Sequence, residues 1–210
     1  RLKNPKAPRM EKAYGFIDTL LSRMGEAYTA GRERIFDLAT VLAERIGAGA
    51  HFHVTSDHSG VQLEATVVAM GPMMLNAFRA DMRKGDVHFL ATIDPDAKLV
   101  LEEVKKARSM DMLVVSAGPG SSNGLRGLSD VFLDNLSPEG QGWCTVPGFK
   151  DRIGVVGGIM NNILMWVLVA QTVDEMIRRG WVPYFWMGIY TSGGKEYNAA
   201  MHPFFLARGF

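Results

Sequence analysis

Apolar positions open the chain in a regular rhythm. Met10, Tyr14, Ile17, Leu21, Met24 and Tyr28 recur at alternating steps of four and three, the spacing of one face of a helix. A second stripe, Ile35, Leu38, Leu42 and Ile46, runs into Gly47-Ala48-Gly49, where a helix is expected to stop. The two stripes predict a helical hairpin over residues 1–48, an N-terminal extension packing on the rest of the domain or on a partner subunit. The rhythm then changes. Ala50 to Thr55 is short and β-compatible, residues 56–60 are turn-like, and residues 61–70 return to helical spacing. The same unit recurs: Val87 to Ile93 is an apolar run, Asp94-Pro95-Asp96 supplies a turn, and Ala97, Val100, Leu101, Val104 and Ala107 line a helical face. Met112 to Val115 and Val131 to Leu133 read as further short strands. Val155 to Arg179 reads as a long helix closed by Gly180. Tyr184 to Gly188 is a short strand or buried turn before the bend at Gly193-Gly194.

Strands alternating with helices predict an α/β three-layer sandwich, a central parallel sheet flanked by helices with right-handed crossovers. Ligands of such sheets sit beyond the carboxyl ends of the strands. That rule selects three loops for chemistry: Thr55 to Ser59, Thr92 to Asp96 and Ser116 to Asn123. The last opens a stretch, Ser116 to Lys150, with seven glycines and three prolines, long enough to suggest a functional loop region.

Composition narrows the function classes. With 210 residues, 47% of them hydrophobic, the chain is sized for one domain over residues 1–210. A net charge of +1 gives no electrostatic footprint for nucleic acid or for an acidic membrane surface. The single Cys144 excludes an internal disulfide and a thiolate-rich zinc site, which together with the lack of a signal-like apolar stretch after the basic start predicts a cytoplasmic protein. Ile153 to Ala170 is long enough to span a bilayer, but Asn161, Asn162 and three glycines mark it as a buried core helix.

Each loop has a structural and a functional reading. In the first, Thr55, Ser56 and Ser59 sit beside a helix start, where free N–H groups favour an anion; the plainer alternative is that Ser56 or Asp57 caps that helix. His58 at the mouth and Glu64 further into the helix are candidate proton-transfer groups. The second loop is acidic where a phosphate cradle would want hydroxyls and glycines. Asp94 and Asp96 fit turn and cap positions, while Thr92 and Asp94 are placed to bind sugar hydroxyls, or a metal together with Asp57 and His58. The third loop offers Ser116 and a glycine-rich backbone, but it has neither the lysine of a P-loop nor a G-x-G-x-x-G after the first strand, and no G-x-S-x-G elbow occurs. Nucleotide hydrolysis, NAD binding and that class of serine hydrolase are set aside. Cys144 reads as a plain loop thiol, His51 and His53 as packing on one strand face, and His88 as a core residue.

Several short patterns, in shared order, resemble the SIS (sugar isomerase) domain family, in particular stand-alone bacterial members with a helical N-terminal extension, over roughly residues 10–200. His53-Val54-Thr55-Ser56-Asp57-His58-Ser59, with Glu64 beyond, is similar to H-V-F-G-T-G-H-S followed by A-E-E. Phe132-Leu133-Asp134-Asn135 with Pro138 and Gly140 is similar to V-I-D-N-x-x-P-x-G, Gly193-Gly194-Lys195-Glu196-Tyr197-Asn198 to G-G-D-E-H-N, and Asn162 to an asparagine of the long helix. The resemblance implies a flavodoxin-type SIS sheet and homodimers or homotetramers with sites near subunit boundaries. It further implies a sugar or sugar-derivative ligand, phosphorylated or not, and aldose-ketose isomerisation through a cis-enediol with no organic cofactor and no metal. Glu64 would be the base and His58 or His202 the ring-opening group. Thr55, Ser56, Asp57, Ser59, Thr92, Asp94 and Ser116 would bind substrate, with Glu196 and Asn198 completing the site, in one reading a neighbour's. The family's second loop, S-x-S-G-x-T or S-N-S-G-R-N, is replaced here by Thr92-Ile93-Asp94-Pro95-Asp96. That departure points to an unphosphorylated sugar or sugar acid, or to a non-catalytic sugar-sensing or partner-binding module.

Overall fold

The computed structural model describes residues 11–57, 59–68, 71–76, 82–121, 123–137, 142–145 and 147–210. Met10 and His58 lie outside them. In chain order the elements are α1 (Glu11–Gly47), β1 (Phe52–Ser56), α2 (Val61–Leu63, continuing as a π-helical turn over Glu64–Val68), β2 (Leu75–Asn76), β3 (Val87–Ala91), α3 (Lys98–Ser109), β4 (Leu113–Gly118), α4 (Asn123–Leu128), β5 (Val131–Asp134), α5 (Gly157–Arg178) and α6 (Gly194–Arg208).

The strands form a five-stranded sheet in the order β2-β1-β3-β4-β5, every neighbouring pair parallel. This is the flavodoxin-like winding that the alternation of strands and helices predicts. Strand side chains alternate between two layers. Phe52, Val54, Phe89, Ala91, Val115 and Ala117 face α1 and α5, where Leu38, Leu42, Ile46, Met160, Leu164 and Leu168 complete the larger core. Leu90, Val114 and Phe132 face the other way and meet Val100, Val104 and Leu125 of α3 and α4. Two-sided burial explains why β3 reads as a continuous apolar run.

The expected N-terminal hairpin is instead one continuous helix of 37 residues. The two stripes are separated by Thr29-Ala30-Gly31-Arg32-Glu33-Arg34, which contains no proline. A lone glycine disfavours a helix by only about 1 kcal/mol relative to alanine, too little to turn the chain. The C-terminal stripe packs on α5, whereas Tyr14, Ile17, Leu21 and Tyr28 remain about half exposed at 56, 48, 58 and 59%. The helix ends with Gly47 against the indole of Trp181.

Among the described residues no helix is long and apolar enough to cross a membrane. The stretch from Ile153 to Ala170 becomes the first half of α5, with Met160, Leu164, Met165 and Leu168 in the core. Three elements were not foreseen. β2 is only two residues long, α4 lies in the glycine-rich region, and α6 contains Pro203. Tyr184 to Gly188 forms no strand of its own; it runs beside the segment before β2, joined by Met73 N–H to the Tyr184 carbonyl (2.7 Å) and Trp186 N–H to the Gly71 carbonyl (2.8 Å).

Candidate functional site

The strand order reverses between β1 and β3, and the loops leaving their carboxyl ends meet the first turns of α5, where a sheet wound in this way places its ligand crevice. Ser56, the last residue of β1, caps α2 as one of its two readings requires, its hydroxyl accepting from Gln62 N–H at 3.1 Å. Gly60 supplies the left-handed turn before the helix, at φ 75°.

Asp57 does more than cap. Its Oδ1 accepts from Ser59 N–H at 3.0 Å, and its Oδ2 reaches the second loop, accepting from the Thr92 hydroxyl, from Ile93 N–H at 2.9 Å and from Asp94 N–H at 3.4 Å. The first and second loops are thereby tied by one side chain. The second is held from the other side by α5, where Asn161 donates to the Thr92 carbonyl at 2.9 Å and accepts from Asn135 at 2.8 Å. Asn135 in turn accepts from the backbone and hydroxyl of Ser137, at 3.0 and 2.7 Å. Gly157 allows this approach, because a Cβ there would lie 2.8 Å from the Ser137 hydroxyl.

Beside this network, Asn162 donates to the carbonyls of Ser59 (3.4 Å) and Gly158 (2.9 Å). The Ser59 hydroxyl and the Asn162 Oδ1 are both buried with no hydrogen-bond partner among the described residues. Buried polar atoms left open in this way favour a ligand or water that can satisfy them. Glu64 stands at the start of the π-helical turn, half-buried, its carboxylate without a hydrogen bond among the described residues. Single π-turns inside helices occur frequently at functional sites.

The opposite face of the sheet carries a second set of polar groups. Thr55 points there, and its hydroxyl lies 2.9 Å from His88 Nε2, which is also 3.2 Å from Glu103 of α3. His88 and Glu103 border a cleft of about 480 Å³ that Ser56 and Asp57 also line. Sequence reasoning gave His88 only a core role and passed over Glu103. The alternation of polar residues within an otherwise apolar β1–β3 pair was the available signal.

At the amino ends of the same strands, Asp86 is fully buried and its two oxygens accept from His51 N–H (2.9 Å), His53 Nε2 (2.9 Å) and Arg83 N–H (3.0 Å), with the Arg83 guanidinium 3.5 Å away. The candidate ligand atoms of His51, His53 and Asp86 fall within 4.8 Å of one another. The carboxylate is nonetheless already engaged, and the guanidinium opposes a second cation, so the arrangement acts as a strut joining β1 to the start of β3. Burial depresses the His53 pKa, although Asp86 pulls the other way. Burial alone would raise Asp86, but its hydrogen bonds outweigh that and hold it low.

The remaining candidates go elsewhere. Ser116 is buried within β4 and accepts from Ser129 at 2.8 Å. Asn198 on α6 spends its amide on the backbone of Met187, donating and accepting at 2.8 and 2.7 Å. Glu196 is exposed. His202 packs between Trp186 and Phe205, ring centres 5.5 and 6.1 Å apart. Asp57 thus ties Ser59 to Thr92 and Asp94, with Ser56 next to it in the chain, and among the described residues no hydrogen bond joins Ser116, Glu196, Asn198 or His202 to them.

No protein-family model matches the chain. Among curated proteins, the UPF0309 protein lmo0025 of Listeria monocytogenes is 22% identical over 220 residues, covering 100% of this chain and 93% of that protein. Among solved structures, a phosphoheptose isomerase from Francisella tularensis superposes with a TM-score of 0.60 at 14% identity, over 82% of this chain and 100% of that one. The phosphoheptose isomerase of Neisseria gonorrhoeae superposes with a TM-score of 0.61 at 13% identity, over 80% of this chain and 98% of that one. The fold is SIS-like. At these identities the likeness establishes shared architecture, and the chemistry has to be argued from the crevice.

Proposed function

We propose that the chain binds a sugar or sugar derivative in the crevice between β1, β3 and the N-terminus of α5, and interconverts aldose and ketose forms through a cis-enediol. The observation that carries this reading is the pair of buried polar atoms without a hydrogen-bond partner among the described residues, Ser59 Oγ and Asn162 Oδ1, where the first loop meets α5. A polyhydroxy ligand supplies the donors and acceptors these atoms lack. The fold likeness to two phosphoheptose isomerases supports the substrate class.

In the reaction, Glu64 takes the proton from the carbon next to the carbonyl, and the carbonyl oxygen becomes an enediol hydroxyl as it gains a proton. Return of the proton to the neighbouring carbon, with loss of the other hydroxyl proton, completes the exchange. The Ser59 hydroxyl, which has no hydrogen-bond partner among the described residues, stabilises the charge developing on oxygen. A thermal-shift screen of sugars, sugar acids and sugar phosphates tests the binding. A ligand at a hundredfold its Kd contributes about 2.7 kcal/mol, or roughly 5–10 °C for a chain of this size. A flat screen would transfer the protein to the interaction-module class, and binding without turnover would make it a sensor.

The exposed stripe of α1 adds a proposal about assembly. Tyr14, Ile17, Leu21 and Tyr28 keep the spacing of a coiled-coil seam and stand free of the core, so a second copy of the chain is the natural occupant. Analytical ultracentrifugation is expected to show a dimer or tetramer that Leu21→Asp dissociates. Wild-type protein that stays monomeric at every concentration would remove the proposal.

A further inference from the structure

We infer that the backbone at the carboxyl end of β3 forms an anion nest which the chain fills with its own Asp57 carboxylate, so that the ligand of the crevice carries no phosphate ester. The word ligand rests on the sugar-binding reading; the nest does not.

Three donors converge on this carboxylate, the Thr92 hydroxyl and Ile93 N–H on Oδ2 and Ser59 N–H on Oδ1, and a fourth, Asp94 N–H, donates at 2.9 Å to the Thr92 hydroxyl and reaches Oδ2 at 3.4 Å. Consecutive N–H groups turned outward at a strand end are the arrangement that receives free phosphates and carboxylates. A local turn accounts for the Ser59 contact alone. The others bridge 35 to 37 positions of sequence, and both partners are anchored: Asp57 N–H donates to the Ala91 carbonyl at 3.2 Å and Thr92 N–H to the Ala117 carbonyl at 2.9 Å.

A tethered occupant has a high effective concentration. An incoming phosphate would have to displace it from a loop that also carries the exposed acids Asp94 and Asp96. A hydroxyl or an ammonium group meets no such opposition. Oδ1 accepts a single described hydrogen bond, and a carboxylate oxygen has room for a second. The crevice is therefore built for an unphosphorylated sugar presenting a hydroxyl or amino group to Asp57.

The experiment empties the nest. Asp57→Ala is expected to melt below wild type and to recover saturably in sodium formate, relative to sodium chloride of equal ionic strength, while wild type gains nothing from formate or inorganic phosphate. Asp57→Ser, which keeps a small polar side chain, is run alongside; if neither variant purifies, refolding yield in formate against chloride is the readout. Saturable stabilisation of wild type by phosphate would overturn the proposal, and so would variants indifferent to formate. Matched sugars and sugar phosphates complete the test on wild type: a phosphate ester bound at least tenfold tighter than its parent sugar overturns the inference. If no member of any pair binds, the sugar reading fails, and the formate arm still decides whether the nest exists.

Discussion

Replacing Asp86 by alanine is expected to cost about 3 kcal/mol or more, since a buried charged acceptor is removed and its donors are left unpaired. The side chain is fully buried and joins three donors, the N–H groups of His51 and Arg83 and the His53 ring. Its loss strands all three where water cannot easily replace it. Urea denaturation measures the change, and a cost below about 1 kcal/mol would show that the strut is dispensable. The same cluster sets a pH dependence. Burial holds the His53 imidazole below its ordinary value of 6.5, so the unfolded chain takes up a proton where the folded chain does not. Stability is then complete above about pH 6.5 and declines as pH falls below it. Asp86, held below its ordinary 3.8, contributes stability that is present above that value and lost as pH falls through its lower folded value. Unfolding midpoints measured from about pH 8 to about pH 5 should fall, and His53→Gln should flatten that slope; an unchanged slope in the variant would assign the acid sensitivity to other groups.

Glu64→Gln is expected to reduce turnover by about 10²- to 10⁴-fold on whichever sugar the screen identifies, the usual contribution of a positioned base. Ligand binding and melting temperature should stay close to wild type, because the carboxylate makes no hydrogen bond among the described residues that the amide would lose. The separation of kcat from binding is the informative part. A variant that isomerises at the wild-type rate would take the base role from Glu64 and leave the crevice as a binding site only. A variant that neither binds nor folds would make Glu64 a structural residue of the π-turn.

How far the sequence could be read depended on the range of each interaction. The four longer strands and helices α3 and α5 follow from local periodicity, because two-sided burial writes an apolar run into β3 and one-sided burial writes a stripe into α3. The N-terminal hairpin failed for a local reason too: two stripes with a polar interval are compatible with one helix whose partner changes along its length. α6 was hidden by Pro203 and by a sequence with no single apolar face. At the site, the carboxyl-end rule selected the first and second loops, and hydrogen bonds join Asp57 of the first to its neighbour Ser59 and to Thr92 and Asp94 of the second. The partner of Asp57 was out of reach, because no spacing signature links it to Thr92. Asn161 was read only as an interruption of an apolar helix, and Asn162 as that and as a match to the family pattern. Their work, holding the second loop and leaving an open carbonyl beside Ser59, belongs to tertiary contacts. Glu196 and Asn198 came from the family pattern and His202 from the search for a ring-opening group, none of them from a physical constraint within one chain; Asn198 is engaged with Met187 and His202 with Trp186 and Phe205.

The edges of the sheet bear on how this protein can meet others. β2 offers only two residues to a would-be strand partner, and β5 only four. On β5, Arg34 reaches over from α1 to donate to the Phe132 carbonyl at 3.2 Å, while the Arg126 guanidinium covers the Phe132 ring at 4.7 Å. Short, arginine-blocked rims are poor templates for edge-to-edge growth. The β5 edge is thereby protected from cross-strand growth, and lasting association on that side is left to side-chain surfaces, above all those of the helices.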